Sequence, residues 1–188
     1  MDVYLIRHTT PDIDPGICHG RLDAPLRSGV EDRVERLAGA LPQAAPITTA
    51  ASRRCRGLAD PLAARLGSTV TVDDRLREMD FGHWEGRPWR TIARAETDAW
   101  TRDFWNRAPP EGESYAAMHA RVAAVWEALP GRGSDSAVLI APAGPLRALI
   151  TIALELPAEA ILRIHVDHGG LARLSDATGG WRLEFSNR

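Results

Sequence analysis

A short apolar run that ends in a cation and an imidazole constrains this chain more than any other feature. Residues 3–6 are Val, Tyr, Leu and Ile, and Arg7 and His8 follow directly. Four consecutive apolar residues suit a strand covered on both faces, which is typical of the central strands of parallel sheets. In open α/β sheets ligands bind beyond the carboxyl ends of the strands, so Arg7 and His8 are predicted to face a ligand crevice.

A long irregular segment follows this strand. Residues 9–27 have neither helical nor strand periodicity and are rich in proline and glycine. Loops of this length are uncommon in compact domains unless they serve a function, so the segment is predicted to border a site. Taken alone, the Arg-His pair also fits an ordinary strand end at which both side chains face water.

Composition limits the classes of function and partner. A chain of 188 residues has the length of one domain, predicted here as 1–188. The formal net charge of -2 argues against a nucleic-acid or anionic-membrane surface. No apolar run reaches the ~20 residues of a membrane helix, and no leader pattern opens the chain, so a cytoplasmic location is expected. Cys18 and Cys55 lie far apart without a CxxC motif, which predicts free thiols.

Alternating helical and strand patterns predict the fold class. Helices are predicted over residues 29–41, 52–66 and 114–129 and again from residue 143. Strands are predicted at 47–51, 69–72 and 137–141, followed by a hairpin at 171–185 with its turn at 176–180. This order predicts an α/β protein, a three-layer α/β/α sandwich with a mostly parallel sheet, in which strand 137–141 ends beside Arg7 and His8.

The helix at residue 52 begins with an unusual charge pattern. Arg53, Arg54 and Arg56 lie in its first turn, where the macrodipole favours anions, and Ser52 is a candidate cap. A bound phosphate would offset the mismatch, because the helix N terminus and the guanidinium donors would share one anion. The alternative is that Arg53 and Arg56 simply point into water.

Residues 76–86 place two carboxylates around aromatic side chains. Their sequence is Leu-Arg-Glu-Met-Asp-Phe-Gly-His-Trp-Glu-Gly, which has no usable helical period. If the phosphate bound at the helix N terminus belonged to an ester, its cleavage would leave an alkoxide that needs a proton donor, and Glu78, partly buried beside Phe81 and Trp84, suits that role. An ion pair between Glu78 and a nearby arginine is the structural alternative.

Other conspicuous side chains have competing interpretations. The aromatic residues of the helical region 89–107 predict either a substrate lid or ordinary core packing. On the next helix, His119 and Arg121 are expected to face solvent. His165 and His168 are three residues apart, but no carboxylate or cysteine pattern supports a metal site there. No metal and no cofactor is expected.

Together these motifs resemble the histidine phosphatase (phosphoglycerate mutase-like) superfamily. The resemblance depends on Arg-His-Thr at 7–9, the loop Gly16–Arg21 with Asp23–Leu26, and Leu76–Gly86, and the first loop is most similar to that of α-ribazole phosphatases. It implies a phosphoglycerate mutase-like fold and hydrolysis of a phosphomonoester through a phosphohistidine. The implied partner is a small phosphate ester, α-ribazole 5′-phosphate or a related cobalamin-pathway phosphate. The oligomeric state stays open, with a homodimer among the options.

The resemblance also implies roles for individual residues. His8 matches the nucleophile, Arg7 and Arg54 match residues that hold phosphate oxygens, and Glu78 matches the general acid. Arg54 is preferred to Arg53 by alignment, although the residues before it depart from the family's serine and proline. Substrate contacts are predicted for Thr9, Gly20, Arg21 and Ala143, and either a supporting role or substrate contact is predicted for Glu85.

One position departs from the family pattern. Members carry histidine-x-glycine-x-x-arginine after the fourth predicted strand, whereas this chain has Pro142 and keeps Gly144 and Arg147. Proline offers no side-chain donor and no backbone N–H, so it cannot replace an imidazole that binds phosphate. Three hypotheses stay open. The first is an altered or damaged phosphatase. The second is a competent phosphatase in which His168, another imidazole or the helix N terminus at Ala143 compensates for the missing histidine. The third is a phosphate-ester-binding or regulatory protein without turnover.

Overall fold

The structure is a computed structural model that describes residues 1–129, 135–177 and 179–188. Within these residues the strands are β1 (Asp2–Arg7), β2 (Ile47–Thr49), β3 (Val70–Val72), β4 (Ser136–Ala141), β5 (Leu171–Ala177) and β6 (Gly180–Phe185). The α-helices are α1 (Glu31–Ala40), α2 (Arg53–Leu66), α3 (Arg94–Arg102), α4 (Tyr115–Ala128) and α5 (Ala143–Ala153). Short 3₁₀ turns cover Asp74–Leu76, Gly82–Trp84, Trp89–Thr91 and Ala158–Arg163.

The strands form one sheet in the order β3-β2-β4-β1-β5-β6. β1 to β4 run parallel, and Arg7 at the end of β1 pairs with Ala141 at the end of β4. β5 is antiparallel to β1 and pairs Leu171 with Ile6, so the residues before β5 reach the same edge. The predicted α/β sandwich with a mostly parallel sheet and a terminal hairpin is confirmed.

The core lies on both sides of the two central strands. Val3 and Ile6 in β1 and Val138 and Ile140 in β4 are fully buried, as their continuous apolar runs predict. α1 packs beside α2, and α4 packs beside α5. Both cysteines are buried and free, which confirms that prediction. No helix in the described ranges is long and apolar enough to cross a membrane.

Some predicted elements differ in extent. The helical region 89–107 divides into a 3₁₀ turn and the shorter α3, because the backbone N–H and the hydroxyl of Thr91 both donate to the Pro88 carbonyl at 2.8 Å and close the first turn. The helix predicted over 29–41 begins at Glu31, and β2 ends at Thr49. The hairpin turn predicted at 176–180 includes Thr178, which lies outside the described residues.

The N terminus of α2 is capped from a distance. Ser52 occupies the N-cap position, but its side chain makes no capping hydrogen bond, so that prediction is wrong. Instead the Arg53 backbone N–H donates to Asp23 Oδ1 at 2.6 Å. This carboxylate offsets the positive end of the helix macrodipole, to which the arginines add further positive charge. Arg53 is exposed and Arg56 pairs with Asp60 at the surface, as expected for side chains that face water.

Candidate active site

His8 follows β1 directly and is 1% exposed. Its Nδ1 lies 2.7 Å from the Thr9 carbonyl oxygen, which can only accept a hydrogen bond. Nδ1 therefore carries the hydrogen, and Nε2 keeps its lone pair. Burial, together with the positive charges of Arg54 and Arg7, holds the pKa of His8 well below its ordinary value. The imidazole is thus neutral at pH 7 and has one nitrogen available for attack.

Two guanidinium groups lie near His8 and are held by backbone carbonyls. Arg54, 1% exposed, donates to the carbonyl oxygens of Leu22 at 2.6 Å and Gly20 at 2.5 Å. Arg7 donates from Nη1 to the Val166 carbonyl at 2.7 Å. In both side chains the buried Nε has no hydrogen-bond partner among the described residues. Since neither cation pairs with a described carboxylate, both charges remain available to an anion.

Glu78 separates two cavities at this edge of the sheet. Its carboxylate accepts from the Met79 N–H at 3.0 Å and from the Gly144 N–H at 3.2 Å. A side chain at Gly144 would force this carboxylate to shift, so glycine leaves room for Glu78 in this position. Glu78 lines a polar cavity together with Arg54 and also lines a second, largely apolar cavity. The alternative of an ion pair between Glu78 and an arginine is not found within the described part of the chain.

The first loop and the segment 76–86 are braced against each other. The Arg21 backbone N–H donates to Glu85 Oε1 at 2.8 Å, and its guanidinium bonds Asp80 at 3.2 Å and Glu113 at 3.0 Å. The Phe81 N–H also donates to Glu85 Oε1 at 3.0 Å. The side chains of Arg21 and Glu85 thus fix the position of the segment that carries Glu78, the candidate acid. Substrate contact by Arg21 and Glu85 stays a prediction.

The remaining predicted contacts border the same region. The buried Thr9 hydroxyl has no hydrogen-bond partner in the described ranges. Gly20 has a φ of +36°, and a side chain there would collide with Glu85 Oε1. Ala143 begins α5 and lines the apolar cavity. The structure thus brings the predicted residues to one edge of the sheet, and their roles remain predictions.

A sequence model of the histidine phosphatase superfamily (branch 1) matches residues 3–188. The chain belongs to this superfamily. Among curated proteins, "Putative phosphoserine phosphatase 2" of Hydrogenobacter thermophilus is 27% identical over 178 residues, which cover 92% of this chain and 88% of that protein.

Solved structures of the superfamily superpose over nearly the whole chain. The native structure of mycobacterial glucosyl-3-phosphoglycerate phosphatase is 28% identical, has a TM-score of 0.84 and is matched over 99% of this chain and 98% of that one. That enzyme has also been solved with VO3 and with inorganic phosphate. The α-ribazole phosphatase of Shigella flexneri is 23% identical with a TM-score of 0.89, over 100% and 96% of the two chains, which shows a shared fold.

His168, named above as a candidate to compensate for Pro142, lies beside His8. The His168 ring centroid is 5.5 Å from that of His8. Partial burial and neighbouring positive charges lower the pKa of His168 to about 4, so the imidazole is neutral at pH 7 although the residue is exposed. His165 turns away and pairs with Asp167 at 2.8 Å. Among the described residues, no group of three or more His, Cys, Asp or Glu side chains could hold a metal ion.

Two predictions for α4 are wrong. Arg121 is half-buried rather than solvated. Its guanidinium forms an ion pair with the Glu113 carboxylate at 2.5 Å and donates a hydrogen bond to the Glu78 carbonyl at 3.1 Å. His119 is half-buried too, with its ring 5.2 Å from that of Trp105. The helical period does not reveal these contacts, because the partners come from segments far away in sequence. Arg121 thus holds the backbone of the candidate acid.

The aromatic residues of the region 89–107 pack on the core, as one interpretation predicts, whereas a substrate lid stays a prediction. Trp100 packs edge-on against Phe81 and Trp84, with ring centroids 6.0 and 5.8 Å away. Trp100 and Phe104 also line the apolar cavity beside Glu78. The region therefore packs on the core and at the same time forms a wall of the candidate site.

Proposed function

We propose that the protein is a metal-independent phosphatase that hydrolyses a phosphomonoester through a phosphohistidine at His8. The observation that carries the proposal is the neutral, buried imidazole of His8 beside the guanidinium groups of Arg7 and Arg54, neither of which forms an ion pair with a described carboxylate. A buried cation without a counter-charge is costly. A phosphate dianion would supply that counter-charge to both arginines.

The first half of the reaction transfers the phosphoryl group to the protein. The lone pair on His8 Nε2 attacks phosphorus, so an N–P bond forms while the bond from phosphorus to the ester oxygen breaks. Arg7 and Arg54 stabilise the charge on the phosphoryl oxygens. The carboxyl group of Glu78 gives a proton to the departing oxygen. The Thr9 carbonyl, bonded to Nδ1–H, stabilises the positive charge that the ring gains.

The second half releases phosphate. Glu78, now a carboxylate, takes a proton from a water molecule whose oxygen attacks phosphorus. The N–P bond breaks, inorganic phosphate leaves, and His8 and Glu78 return to their starting protonation states. Ester and water are consumed and alcohol and phosphate are produced, so atoms and charges balance without a cofactor.

Replacing Glu78 with glutamine tests the acid. Glutamine keeps an oxygen that can accept from the Gly144 N–H but cannot deliver a proton to an alkoxide. We expect kcat/KM for an alkyl phosphate to fall about 10² to 10⁴-fold and that for 4-nitrophenyl phosphate to fall far less, because nitrophenolate leaves unprotonated. Steady-state kinetics with both esters measure this difference. Glu127→Gln, at an exposed position of α4, is the matched control; equal losses with both esters would remove Glu78 from the acid role.

The departure at Pro142 needs a compensating donor, and we assign it to His168. β1 lies between β4 and β5, so Pro142 follows the strand on one side of His8 and His168 precedes the strand on the other. The Gly169 N–H donates to the carbonyls of Arg7 and His8, both at 3.1 Å, which fixes the turn that carries His168. The neutral imidazole would donate one hydrogen bond to a phosphate oxygen.

A pair of substitutions tests this assignment. His168→Ala should lower kcat by about 10²-fold, the effect of one lost donor to developing charge, whereas His168→Asn, which keeps a donor, should lose less. Pro142→His should recover most of the loss in His168→Ala, because residue 142 has an ordinary φ of -68° that histidine tolerates. Steady-state kinetics on 4-nitrophenyl phosphate give the values. Unchanged turnover in His168→Ala would contradict the assignment.

The second candidate function is a phosphate-ester-binding or regulatory protein without turnover, favoured by proline at 142. The two hypotheses differ in one measurement. If native protein binds vanadate but does not hydrolyse 4-nitrophenyl phosphate, and Pro142→His does hydrolyse it, the binding hypothesis is correct.

α-Ribazole 5′-phosphate is the proposed natural substrate. The similarity of the first loop to that of α-ribazole phosphatases supports this choice. Comparing its kcat/KM with those for phosphoserine and glucosyl-3-phosphoglycerate tests it, since relatives are named for the latter two. Faster turnover of either would displace α-ribazole 5′-phosphate.

A further inference from the structure

An apolar cleft opens on one side of Glu78. Its volume is about 180 Å³, and its walls include the rings of Phe81, Trp100, Phe104 and Tyr115. Leu162 lies at its rim with 70% of its surface exposed. A surface so rich in aromatic rings favours a flat apolar group over water.

The cleft lies on the alcohol side of the site. Glu78 lines the cleft and also the polar cavity that contains Arg54. In the proposed reaction Glu78 contacts the oxygen between phosphorus and the leaving group, while Arg54 contacts the phosphoryl oxygens. A leaving group that extends away from Arg54 past Glu78 therefore enters the apolar cleft.

Three polar groups in the cleft walls lack hydrogen-bond partners among the residues the structure describes, and one of them is the buried Nε1 of Trp100. The buried Nε of Arg147 and the buried hydroxyl of Tyr115 make no hydrogen bond to any residue the structure describes. Arg147 also forms no ion pair with a carboxylate in those ranges. It lies close to Arg7, because the pKa of Arg7 is lowered first by burial and then further by the positive charge of Arg147. Buried donors without acceptors are costly, so a ligand that brings an acceptor gains affinity here.

We propose that the substrate is a phosphomonoester whose alcohol carries an aromatic ring, and that this ring bears a hydrogen-bond acceptor, charged or neutral, for Arg147 and Tyr115. This inference rests on the proposed function, because it deepens the chemistry of the same site. Phe81, Trp100 and Phe104 hold the ring, and Arg147 selects the acceptor. Small polar alcohols would leave the aromatic walls unmatched.

Matched alkyl esters test the ring. Benzyl phosphate and ethyl phosphate release alcohols of similar acidity, so a difference in kcat/KM reports contacts with the ring. We expect benzyl phosphate to be favoured about 10-fold or more, in keeping with the burial of a phenyl group. Leu162→Ala should reduce this preference, whereas Leu156→Ala, at an exposed leucine outside the cleft, should not. Equal kcat/KM for the two esters would overturn the inference.

A second comparison tests the acceptor. 4-Carboxybenzyl phosphate carries a charged acceptor and 4-acetylbenzyl phosphate a neutral one. At least one should exceed benzyl phosphate several-fold in kcat/KM, and Arg147→Met should remove that gain without lowering turnover of ethyl phosphate to the same extent. A gain that survives in Arg147→Met would exclude Arg147 as the selecting residue.

Binding to His8→Ala separates this inference from the proposed function. This variant cannot turn over, so calorimetric titration with benzyl and ethyl phosphate measures contacts alone. Tighter binding of benzyl phosphate supports the cleft even if native protein proves inactive. Activity on every ester without ring preference would instead retain the phosphatase and reject the cleft.

Discussion

His8→Ala is expected to lower turnover of 4-nitrophenyl phosphate by about 10⁴-fold or more, because the group that forms the covalent bond is removed. The buried, neutral imidazole is held through Nδ1 by the Thr9 carbonyl, which leaves the Nε2 lone pair for the attack, and alanine leaves nothing to attack phosphorus. Brief incubation with a ³²P-labelled ester and quenching in alkali should trap labelled protein in the native chain and none in the variant.

His165→Ala is the matched control for this experiment. Its ring is exposed and pairs with Asp167, so its loss should leave both turnover and labelling unchanged. Native-like turnover in His8→Ala would defeat the nucleophile assignment. Labelling that persists in the variant would place the covalent intermediate on another residue.

Arg54→Ala is expected to have the second-largest effect, a fall in kcat of about 10³-fold. The guanidinium supplies a positive charge beside His8, and its Nε has no protein acceptor in the described ranges. The same substitution leaves the carbonyls of Gly20 and Leu22 without their donors, so the free energy of unfolding should fall by about 1 to 3 kcal/mol. Inhibition by vanadate and thermal unfolding measure the two effects separately.

Arg53→Ala is the neighbouring control. The Arg53 side chain is exposed, and alanine keeps the hydrogen bond that the backbone N–H of residue 53 donates to Asp23. Arg54→Lys then separates charge from shape, because lysine keeps the charge but not the planar fork that reaches both carbonyls. If Arg53→Ala lost vanadate inhibition and Arg54→Ala kept it, the assignment of the two arginines would be reversed.

Local patterns were enough to predict most of the fold. The apolar runs that became β1 and β4 identify buried parallel strands, and the alternation before Phe185 identifies the final hairpin. Element ends were less predictable, because they depend on single hydrogen bonds such as that from the Thr91 hydroxyl to Pro88. The cap of α2 escaped prediction for a related reason, since Asp23 lies in another loop.

The candidate site was predictable where strand ends define it and obscure where distant segments meet. His8, Arg7 and Arg54 could be predicted near one edge because parallel strands end together. The contacts of Arg121 and the position of His168 depend on how a loop and an antiparallel strand return to that edge. No spacing in the sequence encodes those encounters.

The bracing of the first loop by Arg21 limits how this site can be re-engineered. Asp80 and Glu85 lie on the segment of the candidate acid, whereas Arg21 and the carbonyl of Cys18, which accepts from the Gly86 N–H at 2.7 Å, lie on the first loop. If either segment alone were replaced by that of a relative, the charged side chains of the other segment would lose their partners. Chimeras of superfamily members should therefore retain their fold best when both segments are exchanged as one cassette.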